Sequence, residues 1–170
     1  MDAFDVSKRH AEKIAIAVRR CIAACADAQK GFALASGGAH DPDLRVFFEA
    51  CSKERGEFVG ELGGVLASLG EDVDGGGTAL GLLHRAAVDV RLAFEGASDR
   101  VLLEECDRGE SAAQHQYEIA RSELVRLGAP KGIRETIDAQ YAAVCDARYQ
   151  IGGKLTRMMP PSTSGPPRST

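Results

Sequence analysis

Five cysteines are the residues best equipped for chemistry in this chain of 170 residues. Cys21 and Cys25 stand four apart, which on a helix puts one above the other on a single face. Cys51, Cys106 and Cys145 come one each from three later stretches of apolar periodicity. If those stretches pack as two antiparallel hairpins, Cys25, Cys51, Cys106 and Cys145 share a level to within roughly 7–8 Å, at about 1.5 Å per residue. Four thiolates at one level would suit zinc or copper(I). Cysteine is also a small, commonly buried hydrophobe. No Cys-x-x-Cys pair is present, and Cys145 lies at the edge of its stripe. Ordinary core cysteines are therefore the preferred expectation, with a thiolate metal site as the alternative. An odd number of cysteines argues for reduced thiols over a disulfide framework.

The carboxylates offer a second chemistry. Di-iron centres in helical bundles take one Glu from each of two helices and a Glu-x-x-His pair from each of the other two. This chain has no Glu-x-x-His, and its histidines are His10, His40, His84 and His115 alone. Iron is accordingly the least favoured of the metals, and the expectation is no cofactor. On a helical wheel Arg55 falls between Cys51 and Phe58, and Glu110 falls between Cys106 and Ala113, both on apolar stripes. A buried charge needs a partner, so Arg55 and Glu110 form the expected interior ion pair, with Arg148 able to join them. His84 and Arg85 stand together and could bind an anion; a capping or cross-linking role is preferred. Gly75-Gly76-Gly77 follows no strand and lacks the Lys-Ser/Thr ending of a phosphate loop. No nucleophile arrangement can be placed by spacing, so no catalytic residues are assigned.

The elements that must position these residues are helices. Ile14, Val18, Cys21, Cys25, Ala28, Phe32 and Ala35 alternate by four and three, the seam of a helix over about 6–36 that Gly37-Gly38 stops. Asp41-Pro42 is an N-cap followed by proline at the first helical position, opening a second helix to about Leu69. A shorter helix over about 78–94 carries Leu80, Leu83, Ala87, Val90 and Phe94 on one face. Ser98 caps a helix to about Leu127, and Gly128-Ala129-Pro130 leads into the last, ending near Met158. Residues 1–158 thus form one all-α domain, a four-helix bundle whose short third helix carries the chain back between two hairpins. That is the ferritin-like arrangement. Residues 159–170 are Pro/Ser/Thr-rich and read as a disordered tail.

Composition narrows the function classes. The 21 Lys+Arg against 25 Asp+Glu give a formal charge of −4. No basic, aromatic-interleaved groove for nucleic acid appears. No apolar run would span a membrane, and no signal-peptide core opens the chain. A cytoplasmic address follows, with the seam residues spent on the core, self-association into a homo-oligomer as the partner allowed for, and no other protein partner legible.

Several short segments resemble a known family: Lys30-Gly31-Phe32, Asp43-Leu44-Arg45, Leu83-His84-Arg85, Glu104-Glu105-Cys106-Asp107-Arg108-Gly109-Glu110 and Cys145-Asp146. Together, over about 17–155, they resemble the bacterial ferritin-like four-helix-bundle family described as domain of unknown function 2383. The resemblance implies the fold and no biochemical role. Where the family pattern has His-Asp in the last helix, this chain has Cys145-Asp146, so no metal role carries over to that position. The function expected is a non-catalytic structural or interaction bundle; the alternative is a bundle that binds zinc or copper through cysteines.

Overall fold

The computed structural model describes residues 3–71, 94 and 96–159. Four helices account for most of them: α1 (Ala3–Gly38), α2 (Pro42–Ser68), α3 (Asp99–Arg126) and α4 (Lys131–Arg157), with no strand among the described residues. The short helix expected over 78–93, together with His84 and Arg85, lies outside the described residues, as does the expected tail from residue 160 onward. No described helix is long and apolar enough to cross a membrane.

Local chemistry sets the helix ends. The Asp41 carboxylate accepts from Asp43 N–H at 2.8 Å, and Pro42 follows at the first position of α2. Ser98 Oγ accepts from Val101 N–H at the start of α3. Gly70 (φ +73°) and Gly128 (φ +61°) take the left-handed conformation just past α2 and α3. Each is followed by an N–H that reaches back to the helix's last turn, Glu71 to the Leu66 carbonyl at 3.0 Å and Ala129 to the Leu124 carbonyl at 2.9 Å. This is the Schellman ending, which satisfies carbonyls that the helix itself leaves orphaned.

Helix α1 packs against α2 and α3, and α4 packs against α3 and more lightly against α2. Cross-helix pairs fix the directions. Ser52 and Arg45 meet the α1 positions Gln29 and Ser36, so α1 and α2 are antiparallel. Cys25 meets Tyr117 while Arg20 meets Glu123, so α1 and α3 are antiparallel as well. Tyr117–Gln140 and Asp107–Arg148 make α3 and α4 antiparallel. Helices α2 and α3 therefore run parallel across one diagonal of the bundle, α1 and α4 across the other. The Asp99 carboxylate accepts from the His40 and Asp41 N–H groups at 2.7 and 3.0 Å, tying the α1–α2 corner to the start of α3. The opposite end is held by Arg19–Glu71 at 2.8 Å and by His10 Nε2 against the Leu127 carbonyl.

The interior falls into two apolar clusters. One gathers Ile14, Val18, Cys21, Cys25, Leu62, Leu66, Tyr117, Leu124 and Ile137 toward the start of α1. The other gathers Phe32, Phe48, Cys51, Leu102, Cys106 and Ile151 toward its end. Polar side chains occupy the level between them.

Candidate functional site

Arg55 sits where the α2 stripe puts an apolar residue in every other turn, and Glu110 does the same on α3. Both side chains are fully buried. Arg55 Nε donates to Glu110 Oε1 at 3.0 Å and Arg55 Nη2 donates to Oε2 at 2.6 Å. This is a bidentate fork across the α2–α3 diagonal, the geometry in which Arg and carboxylate bind most strongly. The third donor edge, Nη1, reaches Glu54 Oε2 at 2.5 Å, and the guanidinium lies 5.2 Å from the centre of the Phe58 ring. Burial works against the Arg55 charge, but hydrogen bonds and charge from Glu110 outweigh it and hold the guanidinium protonated. Burial likewise pushes the Glu110 carboxyl above the ordinary carboxylate range, with Arg55 opposing the rise.

About two turns away along α3 runs a second polar chain. Tyr117 O–H donates to Gln140 Oε1 at 2.7 Å, and Gln140 Nε2 donates to the exposed Glu61 at 2.8 Å. A hydroxyl has one proton to give, so the 3.0 Å contact between Cys25 Sγ and Tyr117 Oη is a thiol donating to the phenol. Among the described residues no buried side-chain nitrogen or oxygen lacks a partner. Gln140 and Tyr117 were not legible as polar interior groups. The signal for Gln140 was its place three residues after Ile137 and four before Val144, between two inward positions.

The four candidate thiols do not converge. Cys25 belongs to one apolar cluster; Cys51 and Cys106 belong to the other. Cys145 is half-buried outside both clusters. Among the described residues no three His, Cys, Asp or Glu side chains gather as a metal-holding group. Along the bundle axis the sulfurs fall on either side of the Arg55–Glu110 level, Cys25 toward the start of α1 and Cys51 and Cys106 toward its end. Burial pushes the Cys21, Cys25 and Cys51 thiols up to about 12, 11 and 12, and raises Cys106 further still. The interior carboxylate that a di-iron centre would use is engaged by Arg55 on both oxygens. Arg148 does not join the pair but reaches Asp107 at 3.2 Å and Gln114 at 2.7 Å at the bundle edge. His115 is exposed beside Glu118.

Away from this centre, a trough of about 580 Å³ runs between α1 and α3. Its lining includes Ala23, Ala24 and Gly31 from α1, Gly109 and Ala112 from α3, and Phe94. A Cβ at Gly109 or at Gly31 would meet nothing within 4 Å.

The family model of the domain of unknown function DUF2383 matches residues 13–123, more than half of the chain. No curated protein matches it.

Proposed function

The chain belongs to the DUF2383 family, and on that premise we propose that it is a non-catalytic, ferritin-like bundle with a structural or interaction role in the cytoplasm. The observation that carries this reading is the Arg55–Glu110 fork. A metal-dependent bundle keeps carboxylates and imidazoles free at its axis, whereas here the axial carboxylate is spent on a guanidinium at 2.6 and 3.0 Å. A buried pair of this kind is a poor source of stability but can fix which helix faces meet, since any slip of α2 against α3 strands two charges in an apolar core. The raised thiols support the same reading, because a thiolate is the form that binds metal or attacks a substrate.

The ferritin-like topology, with residues 78–94 as a helix returning between the hairpins, belongs to the same proposal. Its support is that α2 ends beside Arg19 while Phe94 lies beside Gly38, at opposite ends of α1. Titration of the purified, reduced protein with Fe(II), Zn(II) and Cu(I), followed by calorimetry, tests the functional reading. No saturable binding tighter than about 10 μM, a free energy near 7 kcal/mol, is the expected result. Stoichiometric uptake that Cys51→Ser, Cys106→Ser or Glu110→Gln abolishes would overturn it.

A further inference from the structure

The trough between α1 and α3 has the size of a small-molecule site and the lining of one. Its volume is about 580 Å³, within the range of ligand pockets, which combine apolar walls with a few placed polar groups. Ala28, Phe32 and Ala113 form a buried floor, and Phe94 stands at the end near Gly38. Gly31 and Gly109 widen the groove, since a Cβ at either would meet no described atom within 4 Å. Glycine is disfavoured within a helix relative to alanine, and crowding between α1 and α3 does not explain these two.

Four charged side chains belong to the lining: Arg20, Asp27, Glu105 and Arg108. Arg20 is engaged by Glu123 at 3.0 Å, and Glu105 and Arg108 engage each other at 2.8 Å. Asp27 makes no hydrogen bond or ion pair among the described residues, and neither does Gln116, the amide of the lining. Partial burial raises the Asp27 carboxyl, and Lys30, which opposes the rise, lies outside the lining. Burial disfavours a charged carboxylate, and a neighbouring cation restores it. Arg20–Glu123 and Cys25–Tyr117 fix the antiparallel register of α1 against α3. Continued along α1, that register sets Gln116 level with Asp27 and Ala112 level with Gly31. The two unpartnered groups thus stand on opposite walls at one height. From Gln116 to Gly109 the α3 wall then offers about 10 Å of apolar groove. An ionised carboxylate only accepts, so a ligand must bring the donor, and a charged donor bonds about twice as strongly as a neutral one. An ammonium has further hydrogens to give, and Gln116 Oε1 can accept one of them.

We infer that this trough binds a small organic ammonium, its charged head between Asp27 and Gln116 and its apolar body lying over Gly31 and Ala112 toward Phe94. Asp27 and Gln116 select the head group, and Gly31, Gly109 and Ala112 set the width available to the body. The site shares no residue with the Arg55–Glu110 fork, and it goes beyond the structural role proposed above.

Protein-observed NMR titration of the full chain tests the site with three probes of one shape: phenylbutylammonium, phenylbutanol and phenylbutanoate. The ammonium is expected to shift trough resonances saturably, with Kd below about 1 mM. It should bind at least about tenfold tighter than the alcohol, with the carboxylate weaker still. Asp27→Asn is expected to bring the ammonium down to the level of the alcohol while the protein melts as before. Ala112→Phe fills an exposed position of the trough and is expected to abolish binding of all three; Gly109→Leu is the second filling variant should the first misfold. Ammonium binding no tighter than that of the alcohol, or unchanged in Asp27→Asn, would overturn the cationic ligand. Binding that survives both filling variants, or no saturable shift with any probe, would overturn the site itself. Trough shifts that follow protein concentration alone, with a dimer in sedimentation, would give the groove to a second copy and overturn the inference.

Discussion

Replacing Arg55 by methionine removes every charged donor from Glu110 while leaving its carboxylate fully buried. Among the described residues both Glu110 oxygens accept only from Arg55, at 3.0 and 2.6 Å. Breaking such a pair from one side costs about 3–5 kcal/mol, roughly a fifth or more of the stability of a typical domain. For a chain this long that corresponds to a melting temperature lower by roughly 6–20 °C. The loss should depend on pH. Burial already raises the Glu110 carboxyl, and losing Arg55 removes the group that opposes the rise. A carboxyl raised in the folded state holds its proton there after the unfolded chain has released it. Stability is then present at low pH and is lost as pH rises through the folded value. Arg55→Met should therefore be closer to the unaltered protein at pH 5 than at pH 8. Arg55→Met with Glu110→Leu removes both charges and should return to within about 1 kcal/mol of the starting stability, or exceed it. Urea denaturation of the four proteins at both pH values completes the cycle. Single variants costing under about 1 kcal/mol, or a double variant costing the sum of the two, would refute a buried, mutually dependent pair.

Other outcomes follow from the same geometry. A thiol at about 12, as for Cys21 and Cys51, is ionised to only about one part in 10⁴ at pH 8. Ellman's reagent should accordingly find one fast thiol, the half-buried Cys145, and five after denaturation; a fast Cys51 or Cys106 would contradict the burial assigned to them. Gly60 and Gly64 face open space on α2, so Gly60→Ala with Gly64→Ala should add about 1–2 kcal/mol. Gly128→Ala, at φ +61°, should cost about 1 kcal/mol; thermal melts compare the two. Partial burial works to raise Asp99, but the His40 and Asp41 N–H groups and the His40 ring outweigh it and hold the carboxyl below the usual range. Its contribution is present above the unfolded value near 3.8 and is lost as pH falls through the folded one. The melting-temperature gap between the unaltered protein and Asp99→Asn should hold from pH 6 to about pH 4 and narrow as pH falls below 3.8, and a gap that stays constant throughout would exclude a charged role.

Helix ends and seams were legible because their signals are local. Asp41-Pro42, Ser98 and the glycines after α2 and α3 each satisfy or terminate a helix within a few residues. The seven seam positions of α1 from Ile14 to Ala35 are all buried. Arg55 and Glu110 stood out as charges on apolar stripes at equal heights along parallel helices, information that periodicity and topology carry. The cysteines show where that information ends. Counting residues from the helix ends places each sulfur only coarsely along the axis, and the packed register puts Cys51 and Cys106 in one cluster and Cys25 in the other. Gln140 carries no local signal of its role, because the Tyr117 and Glu61 side chains that satisfy it come from two other helices.

Elemental mass spectrometry of untagged protein purified under reducing conditions tests the central claim most directly, that a guanidinium occupies the position a metal would need. The account expects iron, zinc and copper all well below one atom per chain in protein that still melts cooperatively. About two irons per chain, or about one zinc or copper lost on Cys51→Ser or Cys106→Ser, would contradict it.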